Sequence, residues 1–71
     1  MTFHDRVMNY KEEQLMAHRE PKYLFIGDLA HQELRSAVKY FYNKPPRNCD
    51  GMDYAGLQVV VVDRPNFLLV R

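Results

Sequence analysis

The sequence predicts a small α+β domain in the order α-β-α-β-β-β, a three- to four-stranded sheet packed by helices. Three observations carry this. One segment repeats apolar residues at helical spacing. Three short runs are apolar at every position, one of them rich in β-branched residues. Proline and glycine punctuate the stretches between them. The 71 residues make one domain, divided into an N-terminal helical segment (1–20) and a βαβββ core (23–71).

The first helix is expected over Phe3–His18. Thr2 is a suitable N-cap, since its hydroxyl can accept a free first-turn N–H, and Asp5 suits the positive end of the helix dipole. Its apolar positions (Phe3, Val7, Met8, Tyr10, Leu15, Met16) form a ragged stripe with no heptad. Glu20 precedes Pro21 and is pushed out of the α region, which places the stop at Arg19–Pro21.

Tyr23–Ile26 reads as a strand ending at Gly27, a strand-to-helix turn where the backbone freedom of glycine is useful. Asp28 reads as the N-cap of a second helix over Leu29–Asn43. Here Ala30, Leu34, Ala37, Val38 and Phe41 share one face, with Tyr42 at its border. Lys39 and Lys44 suit its C-terminal end, and Pro45 and Pro46 stop it. A loop follows, then a short strand over Met52–Tyr54 and a turn at Ala55–Gly56. Leu57–Val62 is a strong strand, because four consecutive valines disfavour helix. Asp63–Asn66 is a turn, and Phe67–Val70 is the last strand.

Strand side chains alternate between faces. Residues 23–26, 59–62 and 67–70 are apolar throughout, so both sheet faces ask for cover. The second helix is expected on one face. The first is a poor candidate for the other. The remaining cover is expected from a second copy of the chain, or the last strand pairs across a symmetry axis and hides its edge.

Composition narrows the classes. The chain is 46% hydrophobic and 27% charged with a net charge of +1, a globular balance. The charges are mixed throughout, so no basic or acidic tail names a partner. No apolar run reaches the roughly 18 residues of a membrane span, and the charged first 15 residues do not resemble a signal peptide. The single cysteine, Cys49, forms no internal disulfide, which fits a reducing, cytoplasmic setting. Small domains without disulfides or metals often gain stability by self-association.

Chemistry is thinly represented. His4, His18 and His31 lack the spacing of a metal site, and Cys49 lacks a CxxC partner. His31 lies one turn after Asp28, which reads as a cap with a solvated histidine nearby. Cys49 activated by a histidine is a conceivable nucleophile, but its surroundings, PPRNCDG, match no catalytic signature. Asp50, Asp53 and Asp63 would have to converge to serve a metal-dependent hydrolase. The glycines match no phosphate-binding loop. The sequence therefore predicts no enzyme, no metal and no cofactor.

Surface residues are more informative. Leu29, Glu33, Ser36 and Tyr40 lie on the second helix away from its core stripe. Exposed tyrosines such as Tyr40 and Tyr42 suit an interface. They also suit stacking on bases, with Arg35, Lys39, Lys44 and Arg47 reaching phosphates.

The run from Tyr23 to Val70, with Asp50-Gly51-Met52-Asp53-Tyr54-Ala55-Gly56-Leu57-Gln58-Val59-Val60-Val61-Val62-Asp63 at its heart, resembles small accessory proteins of tailed phages and prophages. It is also similar to a stretch within phage major capsid proteins, although 71 residues are too few for that shell fold. The resemblance implies a phage or prophage accessory protein and brings no catalytic residue. The expected function is a non-enzymatic, self-associating interaction protein using Leu29, Tyr40, Tyr42, Phe67 and Leu69. The alternative is a small nucleic-acid-binding or regulatory protein using Arg35, Lys39, Lys44 and Arg47.

Overall fold

The computed structural model describes residues 2–39 and 47–71. Two helices, α1 (Phe3–Met16) and α2 (Asp28–Val38), accompany four strands: β1 (Tyr23–Ile26), β2 (Asp53–Tyr54), β3 (Leu57–Val61) and β4 (Leu68–Val70). Class and element order are those the sequence predicts. The strands form one mixed sheet in the order β2-β3-β1-β4. β1 runs parallel to β3, with Leu24 beside Val59 and Ile26 beside Val61. It runs antiparallel to β4, with Leu24 beside Val70 and Ile26 beside Leu68. β2 and β3 form an antiparallel hairpin that pairs Tyr54 with Leu57.

Both helices pack on the same side of this sheet. Phe3 and Val7 of α1, Ala30, Leu34 and Val38 of α2, and the inward residues Leu24, Ile26, Leu57, Val59 and Val70 join in one buried cluster with Cys49. The first helix, a poor candidate for the opposite face by its sequence, packs beside α2 instead. Its stripe is too narrow for an independent layer: only Phe3 and Val7 are buried, and they fill space beside α2. Arg6 of α1 meets Glu33 of α2 at 3.3 Å, and Lys11 donates to the Ala55 carbonyl at 2.6 Å.

α1 begins with a reciprocal cap. Asp5 N–H donates to Thr2 Oγ1, and Thr2 N–H donates to Asp5 Oδ2, both at 3.2 Å. The Thr2 backbone N–H foremost, then the Thr2 side chain, holds the Asp5 carboxyl below its ordinary value. The helix stops at Met16, two residues before the expected end. His18 takes the left-handed conformation, φ 60°. Its N–H donates to Leu15 O at 3.0 Å, and Arg19 N–H donates to Gln14 O at 2.9 Å. These two bonds form a Schellman closure, with histidine where glycine is usual.

α2 is capped differently from the sequence expectation. Its N-cap is Gly27, with no side-chain cap, and Asp28 is already helical. The β3–β4 turn supplies the acceptors instead. Asp28 N–H donates to Arg64 O at 2.8 Å, Leu29 N–H to Pro65 O at 3.3 Å, and Gly27 N–H to Phe67 O at 2.9 Å. Gly27 has an ordinary φ of −89°, so glycine is not required here for backbone freedom. It is required for room: a Cβ would lie 2.3 Å from Arg64 O. α2 is described through Val38, with Lys39 as its C-cap; the continuation expected through Asn43 lies outside the described residues.

Turns account for two other glycines. Gly51 (φ +86°) is the third residue of a turn closed by Met52 N–H to Cys49 O at 3.1 Å. Gly51 N–H and Met52 C=O both bond Val59, each at 2.8 Å, so two residues stand against one in a β-bulge led by glycine. Ala55 (φ 52°) and Gly56 (φ 78°) form the two-residue β2–β3 hairpin turn, which needs positive φ at both positions.

Candidate interaction face

The polar candidates for chemistry have structural duties. His31 Nε2 accepts the backbone N–H of Cys49 at 3.0 Å and so ties the loop before β2 to α2. The sequence leaves open which histidine would activate Cys49; the structure brings His31 to it, but through the cysteine backbone. The Cys49 side chain is 1% exposed in the core, and burial pushes its thiol pKa up, against a smaller opposing effect of Arg35. A core thiol of raised pKa is a poor nucleophile.

The aspartates divide in the same manner. Asp50 Oδ1 accepts Val61 N–H at 2.9 Å, and Asp50 N–H donates to Asn48 Oδ1, also at 2.9 Å. Asp53 is exposed at the β2 edge, and Asp63 is exposed beyond the far end of β3. Among the described residues, no three His, Cys, Asp or Glu side chains gather as a metal site requires. Tyr54 Oη lies 2.6 Å from His4 Nδ1, and its pKa is raised by burial. Its ring packs against Phe3 at 5.9 Å, so it fastens α1 to the β2 edge.

Arg35 and Lys39 stand one turn apart on α2, along a shallow depression shared with Gln32 and Ser36, and Arg47 is exposed. Tyr40, Tyr42 and Lys44 lie outside the described residues. Leu29 is 52% exposed, as its helical phase predicts. It borders a groove of about 690 Å³ between the start of α1 and the outer side of α2. Phe67 lies under the Arg64 guanidinium, 5.5 Å from its ring centre.

The largest organised feature is the sheet face opposite the helices. Alternation puts Leu24, Ile26, Leu57, Val59 and Val70 in the core. The same alternation turns Tyr23, Phe25, Gln58, Val60 and Leu69 to the other side. Tyr23 and Phe25 sit beside each other there, ring centres 6.1 Å apart. Phe25, Val60 and Leu69 are adjacent across three strands. Each is half-buried, while Leu24, Ile26, Val59 and Val70 on the core side are fully buried. Among the described residues no helix covers this face. The apolar runs predicted it; the membership of Phe25, Val60 and Tyr23 is what the strand register adds to Leu69.

Comparisons of the chain with protein-family models, curated proteins and solved structures find no match. No helix among the described residues is long and apolar enough to cross a membrane.

Proposed function

We propose that this protein is a non-enzymatic, self-associating interaction module that works through the sheet face of Tyr23, Phe25, Val60 and Leu69. The observation that carries the reading is this two-layer arrangement, with both helices on one side of a sheet whose other side is also apolar. A mixed sheet that displays a row of Val, Phe and Leu to water is a poor match for a solvated surface. A chain of this size also has a thin core and gains from burying more area. The polar candidates lend no weight to an enzymatic reading, because His31, Cys49 and Asp50 are engaged in fixing the loop before β2. A phage or prophage origin belongs to this proposal only through the resemblance of Tyr23–Val70.

The test is sedimentation velocity from micromolar to submillimolar concentration, for the parent chain and for Leu69→Ser. Self-association that rises with concentration and falls in the variant supports the reading. A parent chain that stays at 8.5 kDa throughout refutes it.

A further inference from the structure

The register of the sheet sorts the open face into rows, and one row carries opposite charges at its two ends. Asp53 of β2 pairs with Gln58 of β3, and Gln58 pairs with Tyr23 of β1. Tyr23 in turn exchanges two backbone bonds with Arg71, just past β4, at 2.7 and 3.0 Å. Asp53–Gln58–Tyr23–Arg71 is therefore one line across all four strands. With strands about 4.8 Å apart, its carboxylate and guanidinium positions are separated by about 14 Å. Both end residues are exposed. The adjacent row is Val60–Phe25–Leu69, apolar throughout.

We infer that this face is occupied by a second copy of the chain, related by a two-fold axis parallel to the strands and lying over the β3–β1 seam. This inference rests on the self-association proposed above and adds its geometry. Such an axis exchanges left and right across the sheet but keeps each row at its own level. β2 then lies over the partner's β4, and β3 over the partner's β1. Asp53 meets the partner's Arg71, and Arg71 meets the partner's Asp53. Val60 packs on the partner's Phe25, so the apolar rows meet each other. Sheets packed face to face stand about 10 Å apart, within the combined reach of an arginine and an aspartate.

The other two-fold in the plane of the interface runs across the strands. It keeps β2 over the partner's β2 and β4 over the partner's β4. Asp53 is then never over the partner's Arg71, and each charge faces its like or an apolar residue. Charge complementarity of this kind selects geometry, because like charges set together at an interface are costly.

Four strands and about five residues of length give a face of about 300 Å² per copy. That is well under the roughly 800 Å² per partner of a standard interface. The dimer is accordingly weak, and its population follows concentration.

The test uses charge reversal read by sedimentation velocity and by heteronuclear chemical-shift titration of the full chain. Asp53→Arg alone sets like charges together at both crossings, and so does Arg71→Asp alone. Each single variant weakens self-association at least about tenfold while retaining the parent circular dichroism spectrum and melting temperature. An equimolar mixture of the two restores association as a heterodimer, since both crossings then join opposite charges. The double reversal in one chain restores it as a homodimer.

Three results overturn the inference in distinguishable ways. If Leu69→Ser abolishes association but the charge reversals leave it unchanged, the face is used with another axis, and only the inference fails. If both single reversals weaken association but neither the mixture nor the double variant restores it, Asp53 and the partner's Arg71 do not meet, and again only the inference fails. If the parent chain does not associate, or associates regardless of Leu69, the self-association proposal fails with it.

Discussion

Gly27→Ala tests how α2 is anchored. The added Cβ would lie 2.3 Å from Arg64 O and 3.1 Å from Phe67 N. The first atom belongs to the backbone, so no side-chain rotation relieves the clash. The β3–β4 turn must retreat from the start of the helix by roughly an ångström, the shortfall from ordinary contact. The bonds from Gly27, Asp28 and Leu29 to Phe67, Arg64 and Pro65, now 2.9, 2.8 and 3.3 Å, then stretch or break. At about 1 kcal/mol net for each bond, the loss is about 2–3 kcal/mol. A chain of 71 residues has about 4–11 kcal/mol in all, so the variant stays folded but melts roughly 10–20 °C lower. Urea unfolding followed by circular dichroism measures this directly, and an unchanged m-value keeps the comparison two-state. Gly51→Ala is the control. Its Cβ would meet nothing within 4 Å, but its φ of +86° lies in the left-handed region, so it loses about 1 kcal/mol from backbone strain. A loss below about 1 kcal/mol for Gly27→Ala, or an equal loss for both variants, would refute the close-approach argument.

His18→Gly and Ala55→Asn each relieve a non-glycine residue at positive φ, 60° and 52°. Each should raise stability by roughly 0.5–1 kcal/mol in the same urea assay, with Asn-Gly the favoured pair for the hairpin turn; no gain for either places the strain elsewhere. Cys49 should react with a thiol reagent at pH 8 at least about 100-fold more slowly in the folded chain than in denaturant, since reaction requires opening of the core; immediate labelling of the folded chain contradicts its burial. Asp5 has a folded pKa below its unfolded one, so its contribution is present above the ordinary carboxylate range and disappears as pH falls through the lowered value. Asp5→Asn should therefore melt below the parent at pH 7, with the gap closing as pH falls through the lowered value; a gap that persists in acid assigns the effect to something other than the ionised cap.

What the sequence reveals and what it conceals divide along one physical line. α2 and β3 are legible because their signals are local: Ala30, Leu34 and Val38 repeat at helical spacing, and a run of valines disfavours helix. Leu29 is placed correctly on the exposed side for the same reason. Gly27 is visible as a junction, but its purpose is not, because the Arg64 carbonyl that excludes a side chain lies 37 positions away in sequence. His18 hides the end of α1 in another way, since it occupies a left-handed position that a reader expects glycine to mark. The side on which α1 packs is likewise illegible, because a stripe reduced to Phe3 and Val7 fits either face.

The open face combines both situations. That some sheet face lacks cover follows from local composition, because runs of only apolar residues cannot direct one side to water. Which residues share a row on it does not, because Asp53, Gln58, Tyr23 and Arg71 are aligned only by the parallel pairing of β1 with β3 and the antiparallel pairing of β1 with β4. A single-residue slip of β3 against β1 would turn Gln58 inward and send Leu57 and Val59 to the open side. The burial of those two residues holds the register, and the register aligns Asp53 with Arg71. The core thus fixes more than stability: by setting the strands in register it also sets the charge pattern that a second copy would have to match.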